Sequence, residues 1–166
     1  DFVTSSDVFE HVAPPSEQAF RNAHSMLKPN GVLVFTVPYD LEESEEHFPD
    51  LHEYSLAEVG NRIVMVNRAP SGELKLCENL TFHLSDTGNT LEMRVFSEAM
   101  LRDTLAAVGF NSVKIYAGNY EQFGILPAES WSLPIAARKG PFTRGTDSMC
   151  EIMEQWRAMK AELIEK

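Results

Sequence analysis

The segment S-S-D-V-F-E-H-V, residues 5–12, places two hydroxyls, two carboxylates and an imidazole within a few positions: Ser5, Ser6, Asp7, Glu10 and His11. A histidine titrating near neutrality can take a proton from a hydroxyl or an amine. His11 is therefore a candidate catalytic residue; the bland alternative is that it bonds at the turn and orders it. His47, His52 and His83 raise the question of a metal. His47 and His52 stand five apart rather than the four that puts two ligands on one helix face. The run E-E-S-E-E-H around His47 reads more simply as a solvated loop, so no metal is expected. His83, in N-L-T-F-H-L, is a candidate for facing a bound substrate, and so is Tyr39 after F-T-V-P; for Tyr39 a half-buried aromatic at a strand end is the plain alternative. Glu92 and Arg94 alternate with Leu91, Met93 and Val95 and are expected on a solvated strand face, with a polar binding role as the alternative.

These groups need a scaffold. D-F-V-T-S-S reads as a short strand. Pro14, Pro15 and Ser16 open a helix with Ser16 as N-cap; Phe20, Ala23 and Leu27 recur at helical spacing, and Pro29-Asn30-Gly31 stops it. V-L-V-F-T-V-P-Y is a continuous apolar run, which fits a strand buried on both faces. Strand, helix, strand implies a parallel pair with a crossover. Ser5, Ser6, Asp7 and Val8 then lie just past the carboxyl end of the first strand, where open α/β sheets bind their ligands. R-I-V-M-V-N-R, E-L-K-L-C-E-N-L-T-F-H-L and T-L-E-M-R-V-F-S are strand-like runs separated by the turn segments A-P-S-G and S-D-T-G-N, and predict an antiparallel meander. A helix capped by Ser97 and ended by Gly109 follows, with Leu101, Leu105 and Val108 as its core stripe. N-S-V-K-I-Y-A-G and S-W-S-L-P-I-A-A-R-K-G read as two more strands. The last residues, 141–166, form an amphipathic helix pattern. Trp131 and Trp156 are expected in the core or at a docking surface.

The chain has 166 residues and a formal net charge of −11. That charge argues against a nucleic-acid partner, which asks for a basic face. Cys77 and Cys150 form no ligand or disulfide framework. No apolar run reaches the roughly 20 residues needed to span a bilayer. A cytoplasmic location is the simplest expectation.

In their order, D-F-V-T-S-S-D-V-F-E-H-V, a helix ending M-L-K-P-N-G, V-L-V-F-T-V-P, an insertion, and F-S-E-A-M-L-R-D-T-L-A-A-V-G-F-N-S-V-K-I-Y resemble the second half of a seven-stranded α/β S-adenosylmethionine-dependent methyltransferase. Asn30 stands where that family commonly has glycine. The resemblance implies an α/β, partial Rossmann-like fold with strands 4-5-7-6 of the sheet and strand seven antiparallel between five and six. Residues 1–140 would form the partial methyltransferase domain, with an antiparallel β insertion over about 41–96 as a substrate-side cap; 141–166 would be a C-terminal helix. It further implies that Ser5, Ser6, Asp7 and Val8 line the cofactor, S-adenosylmethionine. The family's glycine-rich cofactor loop has no counterpart here, since none of the nine glycines are spaced G-x-G.

Two functions follow as expectations. One is methyl transfer to a small-molecule or sugar/glycan acceptor, with this chain as the substrate-side half and inactive by itself. The other is a non-catalytic interaction module that dimerises through an open sheet edge or the C-terminal helix.

Overall fold

The computed structural model describes residues 1–40, 43–85, 88–123, 126 and 132–140. The expected tail helix, Trp131, Trp156 and Cys150 lie outside them. β1 (Phe2–Ser6) leads through a 3-10 turn at Phe9–His11 into α1 (Glu17–Met26) and β2 (Val32–Thr36). Two short strands follow, β3 (Tyr39–Asp40) and β4 (Glu45–Glu46), and then β5 (Glu53–Val59), β6 (Arg62–Arg68) and β7 (Leu74–Cys77). β8 (Phe82–Ser85) and β9 (Gly88–Leu91) make a hairpin, and β10 (Arg94–Ser97) runs directly into α2 (Glu98–Val108). β11 (Ser112–Ile115) and β12 (Ile135–Arg138) complete the main sheet.

That sheet has the order β1-β2-β12-β11. β1 and β2 are parallel, while β12 is antiparallel to both β2 and β11. This is the 4-5-7-6 arrangement, and S-L-P-I-A-A-R supplies the antiparallel strand. Register places Val3 and Ser5 beside Leu33 and Phe35, and Leu33 and Phe35 beside Ala137 and Ile135. α1 and α2 cover this face: Phe20, Ala23, Leu27, Leu101 and Leu105 pack there with Phe9, Phe96 and Phe110. The other face carries Phe2, Thr4 and Val34, all exposed. β2 is thus buried on one face rather than two, because both described helices share one side of the sheet. The outer edge of β1 has no partner strand among the described residues.

The helix ends divide. Ser97 caps α2, its Oγ accepting from Met100 N–H at 3.1 Å. Gly109 closes that helix at φ 110°, and Gly109 and Phe110 return their N–H groups to Ala106 and Leu105. Ser97→Ala should cost about 1 kcal/mol, measured by urea unfolding; an unchanged midpoint would remove the cap from the account. Ser16, by contrast, makes no side-chain cap and is itself helical at φ −62°. The chain already turns at Pro15, whose carbonyl receives Gln18 N–H. Asn30 takes φ 62°, the left-handed conformation that asparagine tolerates best after glycine.

The insertion is antiparallel as expected but richer. β5, β6 and β7 form a three-stranded sheet; β5 was not anticipated, since E-Y-S-L-A-E-V is exposed along its whole length and has no apolar stripe. T-L-E-M-R-V-F-S is not one strand. It breaks at Glu92–Met93, where Glu92 N–H turns to Thr81 O and Met93 N–H to Glu10 O, both at 2.8 Å. β10 then pairs with β3 and β4. Phe48, Met65, Leu91 and Met93 make a second small core beneath the insertion.

Candidate active site

Two polar groups flank the 3-10 turn. The first is the carboxyl end of β1. Asp7 has φ 49° and ties its N–H to Thr36 O at 3.1 Å. Its carboxylate accepts from Thr36 Oγ1 at 3.1 Å, Ser132 Oγ at 3.3 Å and Ser6 Oγ at 3.2 Å. The turn is held open by these bonds, so Ser5 and Ser6 line a shallow groove of about 310 Å³ with Thr4, Thr36 and Pro134. Val8, beside Asp7, is exposed. Ser5 and Ser6 thus end β1, with Ser5 half-buried, and Asp7 and Val8 follow on the exposed turn.

The second group lies at the seam between the two cores. Phe9 anchors one side in the main core; Leu91 and Met93 anchor the other in the small core. Glu10, His11, His47, His83 and Glu92 meet between them. His11 Nδ1 donates to Leu91 O at 2.8 Å. His83 Nε2 and His47 Nε2 share the Glu92 carboxylate, at 2.7 Å to Oε2 and 2.9 Å to Oε1. His47 Nδ1 also stands 3.3 Å from Glu45 Oε1. The His11 and His83 rings cross edge to face at 5.0 Å. His52 is exposed, and its backbone N–H donates to Asn67 Oδ1 at 3.0 Å.

Glu10 is fully buried, and no other side chain hydrogen-bonds its carboxylate oxygens. Burial pushes its carboxyl up to about 7; its own backbone N–H opposes this, the charge of Asp7 adds to it, His83 opposes it and Glu92 adds to it. Glu92 is buried too, at 6% exposure, and Arg94 at 1%. The expectation of a solvated face for these two residues is overturned. β4 and the 3-10 turn cover that face, and Arg94 answers both: Nε and Nη2 grip Glu46 at 2.9 Å each, while Nη1 donates to Phe9 O at 3.1 Å and Val12 O at 2.6 Å.

Tyr39 joins the main core at 6% exposure, paired with Phe96 across β3 and β10; burial raises its phenol above the ordinary value. His83 is partly open, with 35% of its side chain exposed. The burial of Glu10 and Glu92 is not legible in the sequence. Their signal in the sequence is slight: Glu10 directly precedes His11, and Glu92 lies between Leu91 and Met93.

A methyltransferase-domain family profile matches residues 1–115, more than half of the chain. The chain belongs to this methyltransferase-domain family. No curated protein matches. Among solved structures, this methyltransferase chain is similar to the N-terminal domain of EvdMO1, solved in the presence of SAH and D-fucose (13% identity, TM-score 0.42, 83% of this chain and 46% of that one). It is also similar to an S-adenosylmethionine-dependent methyltransferase from Mesorhizobium loti (17%, 0.40, 83% and 61%). A third is CalS10, an amino pentose methyltransferase from Micromonospora echinaspora (15%, 0.36, 81% and 57%). The chain spans about half to three fifths of the length of these methyltransferases. Among the described residues, no helix is long and apolar enough to cross a membrane.

Proposed function

We propose that this chain provides the acceptor side of an S-adenosylmethionine-dependent methyl transfer to a small molecule or sugar. One observation carries the reading: the polar turn after β1 and the buried carboxylate–histidine cluster are joined by a single 3-10 turn. Ser5, Ser6, Asp7 and Val8 would line the cofactor, and the insertion would present the acceptor through His83. The bound cofactor supplies the activated methyl group; the protein positions the acceptor in line with it and excludes water. An acceptor hydroxyl must lose a proton as it attacks. His11 is oriented for that role, because Leu91 O fixes the proton on Nδ1 and leaves Nε2 as the basic atom. The acidic chain favours a small neutral or cationic acceptor over nucleic acid. The cytoplasm is the compartment we assign.

The chain alone should hold the cofactor weakly, because a glycine-rich loop that lets backbone approach a ligand is not found in it. Titration with S-adenosylhomocysteine followed by amide NMR is expected to shift Ser5 to Val8 and Thr36 at millimolar concentration. Shifts confined to other residues would overturn the placement, and stoichiometric micromolar binding would overturn the assignment of this chain to the acceptor side. The edge of β1, unpaired among the described residues, and the exposed Phe2 on the adjoining face favour self-association as a second reading. Light scattering that shows a monomer at high concentration would remove it.

A further inference from the structure

We propose that Glu10, His11 and His83 form a binding site for a divalent first-row transition ion of the zinc type. The three ligand atoms lie within 4.8 Å of one another. Glu10 Oε1 is 3.6 Å from His11 Nε2 and 4.0 Å from His83 Nδ1. Ligand atoms around a tetrahedral ion with bonds of about 2.1 Å stand about 3.4 Å apart, so closure asks only small side-chain movements. His83, partly exposed, has the freedom to make them.

Proton placement leaves two imidazole lone pairs that a cation can take. Leu91 O can only accept, so the His11 proton is on Nδ1. The Glu92 carboxylate likewise places the His83 proton on Nε2. In the neutral rings both remaining lone pairs, His11 Nε2 and His83 Nδ1, then face Glu10 Oε1. Three potential ligand atoms thus converge on one point of the seam. Glu10 is fully buried and no other side chain hydrogen-bonds its oxygens, a costly state for a carboxylate unless an ion or a proton answers it.

The outer contacts fit the same reading. Metal-binding imidazoles typically pass their second N–H to a carbonyl or carboxylate, which fixes the ring and raises its basicity. His11 does so to Leu91 O and His83 to Glu92. His47 holds the other oxygen of Glu92 and so steadies that carboxylate. Two imidazoles and one carboxylate suit zinc or iron rather than magnesium, which favours oxygen ligands. The set leaves positions open on the His83 side for water or a ligand oxygen. The ion site stands independently of methyl transfer. If the proposed function also holds, an ion on His11 Nε2 lowers the pKa of an acceptor hydroxyl in place of the free imidazole.

The test is zinc binding by the full chain after chelator treatment, measured by calorimetry against a competing chelator. One equivalent at micromolar affinity or tighter is expected, with magnesium binding at least 1000-fold weaker. Glu10→Gln and His83→Ala should each weaken zinc by about 100-fold, and Glu92→Gln by about 10-fold. His52→Ala should leave it unchanged. Cobalt should give visible absorption bands that are lost in His83→Ala. Circular dichroism of each variant checks folding; His83, being partly exposed, carries the test should Glu10→Gln fail to fold. No stoichiometric zinc, or zinc affinity unchanged in His83→Ala, overturns the site and leaves a proton on Glu10 as the charge that answers the lone pairs.

Discussion

Arg94→Ala is expected to lower the unfolding free energy by about 3–5 kcal/mol, the range found when one partner of a buried ion pair is removed. The side chain is 1% exposed and makes four charge-assisted bonds. Two reach the Glu46 carboxylate across β4 and β10, where Arg94 and Glu46 are directly paired. Two reach Phe9 O and Val12 O, on either side of Glu10 and His11. Alanine would leave those carbonyls without this donor, strand the Glu46 charge and open a cavity the size of the guanidinium arm. The loss is large against a domain stability of about 5–15 kcal/mol. Glu46 is only partly buried, so water can recover some of its charge. Most of the cost is therefore assigned to the two carbonyls and the cavity. A double-mutant cycle separates them: with Glu46→Gln as background, Arg94→Met should still cost at least half as much. A cost below 1 kcal/mol for Arg94→Ala in urea unfolding would sink this account. Arg94→Lys should rescue poorly, since an ammonium cannot span the carboxylate fork and two carbonyls together.

The second large effect is expected at Phe20, where alanine should cost about 3–5 kcal/mol. Phe20 is wholly buried and stacks on Phe9 with centroids 4.4 Å apart. It also meets Phe35 at 5.8 Å and Phe96 at 6.0 Å. One ring thus ties α1 to the 3-10 turn, to β2 and to β10. Phe20→Leu should cost less than half as much, because it keeps most of the apolar volume. Because Phe20 grips the turn through Phe9 while Arg94 grips its carbonyls, both substitutions should also weaken zinc binding at Glu10 and His11. A thermal-shift and urea series on both variants checks the ranking. Phe20→Ala within 1 kcal/mol of the parent would show that the four rings do not pack as one unit.

Much of the scaffold was legible before any coordinates. The apolar run V-L-V-F-T-V, the stop at Pro29-Asn30-Gly31 and the Ser97 and Gly109 caps are local signals. Each depends on a few neighbouring φ/ψ preferences and survives whatever packs around it. The order of motifs, read as a resemblance, carried the sheet order as well. Ser16 shows the limit of a local signal: a good capping residue becomes an ordinary helical one once Pro15 starts the turn earlier.

The seam was not legible for a physical reason. Alternation along T-L-E-M-R-V-F says that Glu92 and Arg94 share a side of the chain. It does not say whether water or protein lies on that side, and here β4 and the 3-10 turn cover it. His11 meets the Leu91 carbonyl across 80 residues, and His47 meets Glu92 across 45. No spacing rule reaches that far, because such contacts depend on how the insertion folds back over the sheet. The amino-acid sequence by itself determined the strand–helix–strand unit, both ends of α2 and the polar residues Ser5 to Asp7 at the end of β1. The tertiary structure alone decided that Glu10 would be buried between His11 and His83, because the insertion brings His83 to the 3-10 turn from more than 70 residues away in the chain.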